Sequence, residues 1–338
     1  MPVSNVGAEL LINTTTAKSQ TDPAVAALND GGFVAVWTDW SQTGTDSSGS
    51  AIRGQLYDAS ANKVGSEFLV NSKTVDSQYI PSVCSLSSGG FAVSWLDETS
   101  VRGQVFGAGG SRVGGEIIIA DYGANGGINP FTTNVSRPSP RMTALSGGGF
   151  AVTWGLGRDA YGQVYDAAGL KVGAEFSLDS VSGQRSNLGM ATLANGRFVV
   201  VSTQERSGEP TSFDVRAQIF DANGGKVGAG FQVSTTSGGD LPAVAALSNG
   251  NVVVTWSSTS PIGNDTSGSS VHGQMYDAAG AKVGGEFLVN TKTAGSQTRP
   301  SVAGGEMAAS SLLGRTTAEL AAIRVAPQCA AKPSARWG

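Results

Sequence analysis

The sequence predicts an all-β protein, a β-propeller of four-stranded antiparallel blades, and three observations predict it. One block recurs along the chain: G-x-E-[FL]-L-[IV]-N, T-x-x-x-x-Q, P-x-V, G-G-F-x-V-x-W and G-Q-x-Y-D-A. Its copies begin at residues 7, 65, 114, 173, 228 and 284, so successive starts lie 58, 49, 59, 55 and 56 residues apart. Each copy holds four short runs rich in β-branched and aromatic residues, bounded by Gly, Asn, Asp and Pro, which favours strands over helices. Gly supplies 48 of the 338 residues, about twice its usual share. Such a period built from short apolar runs describes an array of small sheets rather than a string of unrelated domains.

In the first copy, strand a is Ala24–Leu28, strand b Phe33–Trp37, strand c Ile52–Tyr57 and strand d Glu67–Val70. Asn29-Asp30-Gly31-Gly32, Ser88-Gly89-Gly90, Asn195-Gly196 and Asn249-Gly250 stand between a and b, and supply the positive φ that tight hairpins demand. Asp166-Ala167-Ala168-Gly169, Asp221-Ala222-Asn223-Gly224 and Asp277-Ala278-Ala279-Gly280 do the same between c and d. Each copy is therefore an antiparallel meander, and repeated meanders of this length suggest a propeller. A β-sandwich is the alternative fold.

Five copies are complete and the sixth breaks off after Pro300-Ser301-Val302. Glu9-Leu10-Leu11-Ile12-Asn13 is a d-type segment ahead of the first a strand, as expected if an N-terminal strand closes the ring. Residues 1–303 form the repeat domain and 304–338 an Ala-rich tail of different character. In that tail, Thr316-Thr317-Ala318-Glu319 reads as a capping box, with Leu320, Ile323 and Pro327 marking a short helix and its stop.

Repetition separates scaffold from site. Trp37, Trp95, Trp154 and Trp256 end the b strands, with Ser202 in their place in copy four, and are expected to pack between blades. Gly54, Gly103, Gly162 and Gly273 sit inside strand c, where Gly marks close approach of a neighbouring backbone. Gln55, Gln104, Gln163, Gln218 and Gln274 follow, and Gln20, Gln78, Gln184 and Gln297 precede strand a. Both sets are expected to hydrogen-bond strand ends. The Glu of G-x-E becomes Gly230 in copy five.

Function is expected where the copies differ. The b–c and d–a loops share one face and carry the length variation, whereas the opposite face has uniform tight turns. Long variable loops on a rigid scaffold are the usual place for binding. The residues singled out there are Asp39, Trp40, Arg53, Asp97, Glu98, Arg102, Arg158, Asp159, Tyr161 and His272. Glu205, Arg206, Asp214, Arg216, Asn264 and Asp265 fill the remaining loops. Carboxylates and guanidinium groups that engage vicinal hydroxyls, with a ring for the C–H face of a pyranose, suit sugar binding.

His272 is the single histidine, at a position held elsewhere by Arg53, Arg102, Tyr161 and Arg216, so a Ser-His-Asp or Cys-His site is not expected. No metal site of clustered His or Cys can be assembled. The loops Asp46–Ser50 and Asp265–Ser269 could hold Ca²⁺ weakly, and no other cofactor is expected. Paired acids for glycoside hydrolysis, Asp97 and Glu98 or Asp159, are not singled out, and the S-x-D-x-G-x-T-W turn of sialidases is missing. A formal net charge of −4 argues against nucleic acid, and no apolar run is long enough to span a membrane. The N-terminal residues lack the basic and apolar regions of a cleaved signal peptide. Cys84 and Cys329 are not expected to form a disulfide.

The motif G-x-E-F-L-V-N-T-x-T-x-x-x-Q-x-x-P-x-V, with G-G-F-x-V-x-W and G-Q-x-Y-D-A-A-G, resembles repeats of large RTX-type surface proteins and adhesins of alphaproteobacteria. It is also similar to a rhizobial-type cell-surface lectin. The likeness covers roughly residues 7–302, although the RTX nonapeptides are missing. It implies a secreted or cell-surface protein in recognition or adhesion. The expectation is thus a non-enzymatic, lectin-like propeller that binds glycans multivalently, galactose-type or another hexose, and is able to form a homo-oligomer. The alternatives are an adhesive protein-interaction module and, third, a glycoside hydrolase.

Overall fold

The computed structural model describes residues 9–122, 139–156, 159–178, 187–206, 209–236, 238–304 and 323–325. They form five four-stranded antiparallel sheets, each a meander in chain order. The first sheet is β1 (Gln20–Ala27), β2 (Phe33–Asp39), β3 (Ala51–Tyr57) and β4 (Lys63–Leu69). The second is β5 (Tyr79–Ser85), β6 (Phe91–Leu96), β7 (Ser100–Phe106) and β8 (Arg112–Asp121). The third is β9 (Arg141–Ala144), β10 (Phe150–Leu156), β11 (Asp159–Tyr165) and β12 (Lys171–Ser177). The fourth is β13 (Leu188–Thr192), β14 (Phe198–Arg206), β15 (Glu209–Phe220) and β16 (Lys226–Gln232). The fifth is β17 (Gly239–Ala246), β18 (Val252–Ser258), β19 (Ser270–Tyr276) and β20 (Lys282–Leu288). A last pair, β21 (Pro300–Val302) and β22 (Ile323–Val325), is antiparallel.

One compact unit contains the first two sheets and most of the third; the other contains the fourth, the fifth and the last pair. In the first, Val34, Val36, Ile52, Val93, Trp95 and Phe106 make one core. In the second, Val199, Val201, Val215, Val254 and Trp256 make another. Trp95 and Trp256 therefore pack between successive sheets, as their recurrence suggested, while Trp37 packs within its own sheet and against Ile12. Strand b is buried on both faces, which is why G-G-F-x-V-x-W reads as a continuous apolar run instead of alternating. Strand d is exposed and opens with Lys63, Arg112, Lys171, Lys226 or Lys282, charges that discourage pairing of the free edge with another chain.

The rest of the motif is explained position by position. The first Gly of G-x-E has positive φ (66°, 67°, 67°, 67° and 71° at Gly65, Gly114, Gly173, Gly228 and Gly284) and forms a bulge in strand d. The strand-c Gln fills that bulge: Gln55 Nε2 donates to the carbonyls of Val64 (3.1 Å) and Gly65 (3.3 Å), and Gln104, Gln163, Gln218 and Gln274 repeat the pattern. The Gly before it receives a ring. A Cβ on Gly54 would lie 2.6 Å from Phe68 Cζ, and one on Gly162 2.2 Å from Phe176 Cζ. At Gly54, Gly162 and Gly273 the closest neighbour is thus an aromatic side chain of the same sheet and not the backbone expected from sequence, whereas a Cβ on Gly103 would meet Ile119 at 3.0 Å and the Val93 carbonyl at 3.3 Å. The Gln before strand a meets the motif's Asn, with Asn71 Nδ2 3.1 Å from Gln78 Oε1 and Asn290 Nδ2 3.3 Å from Gln297 Oε1. The tight turns take positive φ at Gly31, Gly89, Gly148, Gly196 and Gly250, and again at Gly110, Gly169, Gly224 and Gly280; Ala61 stands at the same place with φ 61°.

Two expectations change. Residues 9–13 form no strand: the Ile12 carbonyl accepts from Tyr57 Oη at 2.7 Å, and Ile12 packs beside Ala35, Trp37 and Tyr57. A d strand needs a c strand beside it, and the last described sheet offers only β21 and β22. Ile323, assigned to a tail helix, lies in β22 and pairs with Val302. The rest of that tail segment, like Gln184 and Cys329, lies outside the described residues.

Candidate functional site

The charges singled out in the b–c loops are mostly used to hold each sheet together. Asp39 is buried; its Oδ2 lies 2.5 Å from Arg53 Nε and accepts from Ser41 Oγ at 2.6 Å. Burial opposes its ionisation, yet the hydrogen bonds from Ser41, Gln20 and Arg53 outweigh it and keep the carboxyl below its usual range. Asp97, fully buried, takes Arg102 Nε at 2.5 Å, Lys73 Nζ at 3.1 Å, and the amides of Thr99 and Ser100 at 2.8 and 2.7 Å. There too burial is overcome by the donors, and the carboxyl is held low.

Arg53, Arg102, Tyr161, Arg216 and His272 occupy one strand-c position. The residue fourteen further on is Glu67, Glu116, Glu175, Gly230 or Glu286. Arg102 Nη1 lies 2.7 Å from Glu116 Oε1, and His272 Nδ1 2.5 Å from Glu286 Oε1. The same Glu side chains accept from the preceding turn: Glu67 from Thr14 and Thr15, Glu116 from Ser72 and Lys73, Glu286 from Thr235. His272 is buried, its Nε2 2.9 Å from Ser270 Oγ. Trp40 is 38% exposed and Glu98 is exposed. Asp159 and Tyr161 are half-buried, and burial together with Asp159 and Glu175 raises the Tyr161 phenol. Arg158 lies outside the described residues. Within the sheets, then, Asp39 meets Arg53 and Asp97 meets Arg102; the remaining residues are not gathered into one site by any described contact.

The loops considered for Ca²⁺ direct their carboxylates inward. Asp46 Oδ2 accepts from Asn71 Nδ2, and Asp265 Oδ2 from Asn290 Nδ2, both at 2.7 Å. Burial pushes Asp46 up despite Asn71. Among the described residues no group of three or more His, Cys, Asp or Glu is placed to share a metal ion.

A different position stands out at the start of strand a. Asp22, Ile80, Leu241 and Arg299 each have positive φ (51°, 54°, 54° and 58°) and each precedes a proline. A non-glycine residue in that region stores about 1–3 kcal/mol, and such strain clusters at functional sites. In the first unit the Ile80 amide donates to Thr38 Oγ1 (3.1 Å); in the second the Arg299 amide donates to Ser257 Oγ (3.0 Å). Thr203 is the matching hydroxyl of the fourth sheet; like Thr38, which donates to Asp22 Oδ2 of its own sheet (3.3 Å), it meets a carboxylate, but this one comes from the fifth sheet. Asp240 Oδ1 accepts from Thr203 Oγ1 (3.3 Å), from the Leu241 amide (2.8 Å) and from Asn187 Nδ2 (2.7 Å). The other copies carry Thr21, Tyr79 and Thr298 where Asp240 stands.

Glu205, half-buried, follows Thr203 by two residues on β14. Alternation puts both on the same face, about 7 Å apart along the strand. Asp240 and Glu205 thus mark the loop end of the fourth and fifth sheets, at the end where variable loops were expected. Asn187 and Asp240 are not among the residues singled out from sequence, which come from the b–c loops and the start of strand c although the d–a loops share that face. The available signal was that copies disagree beside an otherwise repeated proline.

No family model matches the chain, and no match to a curated protein was found. Solved structures do match. One is the Penicillium chrysogenum α-L-arabinanase complexed with arabinobiose, 13% identical, covering 83% of this chain and 84% of that one, with a TM-score of 0.52. Another is the GH93 α-L-arabinofuranosidase of Fusarium graminearum, 13% identical over 86% and 87%, TM-score 0.52. A third is the NanB sialidase of Streptococcus pneumoniae, 9% identical over 89% and 66%, TM-score 0.51. At these identities the likeness shows the fold alone, an all-β chain of repeated four-stranded antiparallel sheets. It also corrects the expectation of a non-enzymatic lectin, since these neighbours are glycosidases.

Proposed function

We propose that the repeated sheets form a propeller and that the chain is a glycoside hydrolase, with Asp240 and Glu205 as its paired carboxylates. The observation that supports this most is Asp240: a carboxylate held by three donors at a position where the sister copies have none, with a second acid on the adjoining strand face. Two carboxyl groups several ångströms apart are what glycosidic cleavage requires, one to protonate the leaving oxygen and one to activate water or attack the anomeric carbon. Asp240, fixed by Asn187, Thr203 and the Leu241 amide, takes the second role; Glu205, nearer the loop, takes the first. Asn187 is a positioning residue. The arabinanase and arabinofuranosidase among the neighbours support α-L-arabinosyl linkages as the first substrates to examine, with sialosides second.

The test is hydrolysis of aryl α-L-arabinofuranosides, arabino-oligosaccharides and sialosides by the wild type, Asp240→Asn and Glu205→Gln. Turnover that falls about 10²–10⁴-fold in each variant supports the assignment. No turnover of any substrate by the wild type, or variants as active as it, refutes it.

A further inference from the structure

The opposite face of β14 carries a second feature. In the first, second and fifth sheets the strand-b residue paired across from the strand-c Arg or His is a tryptophan: Trp37 faces Arg53, Trp95 faces Arg102 and Trp256 faces His272. In the fourth sheet Ser202 faces Arg216. The strand-d residue that supplies the carboxylate in the second and fifth sheets, Glu116 and Glu286, is here Gly230. Both neighbours of the arginine have been reduced together, and a small recess of about 20 Å³, open to solvent and large enough for a carboxylate group with the rest of its molecule outside, lies between Leu178, Ser202, Gln204, Arg216, Gln218 and Gly230.

Arg216 is half-buried in that recess, and its hydrogen bond is a long one, Nη2 to the Gly230 carbonyl at 3.5 Å. The nearby Asp214 is taken by Arg206, whose Nη2 lies 3.1 Å from Asp214 Oδ1. A half-buried guanidinium without an anion is a costly arrangement, and its fork of donors fits a carboxylate bidentately. Two further polar groups face the same space. Ser202 offers a hydroxyl, and Gln218, 5% exposed, has a buried Oε1 with no protein hydrogen-bond partner, as has Gln55 at the same position of the first sheet, but here the acceptor lines a recess.

We propose that this recess binds the carboxylate of a small hydroxylated acid of the uronic-acid class. The ligand carboxylate takes the place that Glu116 fills against Arg102 in the second sheet. A hydroxyl group of the ligand donates to Gln218 Oε1, and Ser202 hydrogen-bonds the carboxylate. Glu205 lies on the other face of β14, where Asp240 of β17 meets Thr203, so this site does not depend on the hydrolase assignment.

The experiment is calorimetric titration of the full chain with D-glucuronate and D-galacturonate, with D-glucose as the neutral control, on the wild type, Arg216→Ala and Gly230→Glu. Gly230→Glu places an internal carboxylate where the ligand's would sit and restores the arrangement of the sister sheets. Uronate binding that glucose does not reproduce, weakened at least about tenfold by both substitutions, is the expected result. Equal binding of glucose, no uronate binding by the folded wild type, or undiminished binding by Gly230→Glu overturns the proposal. Failure here with arabinoside turnover intact would leave the hydrolase assignment standing, and the reverse outcome would leave this site standing.

Discussion

The second and fourth sheets fold the same meander around the same strand-c arginine and give it opposite surroundings. In the second, Arg102 lies against Asp97 and Glu116, and Glu116 in turn fastens the Ser72 and Lys73 amides. In the fourth, Arg216 has Ser202 and Gly230 beside it and no carboxylate within ion-pair reach among the described residues. One sheet uses its charges to hold itself together; the other leaves a cation available. Charge at the loop end is therefore a poor guide to function unless its partners are known.

The largest effect expected from this contrast follows loss of Asp97. Asp97→Ala leaves Lys73 and Arg102 without their buried counter-charge and should cost about 3–5 kcal/mol, read as the midpoint of urea unfolding. The pH dependence has a defined sign. Asp97 and Glu116 are held below their ordinary values of 3.8 and 4.5, in each case because donors outweigh burial. Their contribution is complete above about pH 5 and is lost as pH falls through the lowered folded values. The unfolding midpoint should drop on acidification, and less steeply in Glu116→Gln.

A smaller effect compares the two arginines directly. Arg102→Ala should cost about 1.5–3 kcal/mol because it removes the charged donor that Asp97 and Glu116 share while their other donors remain, while Arg216→Ala should change stability by no more than about 0.5 kcal/mol. Equal costs would break the contrast. Gly162→Ala, which drives a Cβ into the Phe176 ring, should cost about 1–3 kcal/mol, and Phe176→Leu should recover part of it. Smallest is a gain: Ala61→Gly relieves a left-handed alanine in the first c–d turn and should stabilise by about 0.5–1 kcal/mol in thermal unfolding.

Much of the fold was legible because repetition exposes geometry. Gly65 and its counterparts recur because the bulge needs a left-handed residue, Gln55 and its counterparts because the bulge frees two carbonyls, and Trp95 because sheets must pack. The site was less legible, and the reason is physical. Asp39, Asp97, Arg102 and His272 have the residue types of a sugar-binding loop, but type does not reveal partner. Only the structure shows Lys73 and Arg102 on one carboxylate, or Glu286 on His272. Asp240 was hidden for the converse reason, at the start of strand a and outside the loop residues singled out on the variable face. Its contacts with Asn187 and Thr203 cross between β17, the residue before β13, and β14, a proximity set by sheet packing and not by spacing in the chain.

Asp97, a carboxylate that stabilises, and Asp240, the carboxylate proposed to react, are separated by one paired measurement. Melting temperature and arabinoside turnover should be recorded together for Asp97→Asn and Asp240→Asn. The expectation is that Asp97→Asn melts several degrees lower while the folded protein keeps its turnover, and that Asp240→Asn loses about 10²–10⁴-fold in turnover with little change in melting. A turnover loss in Asp97→Asn measured well below its melting point, or an active Asp240→Asn, would contradict it.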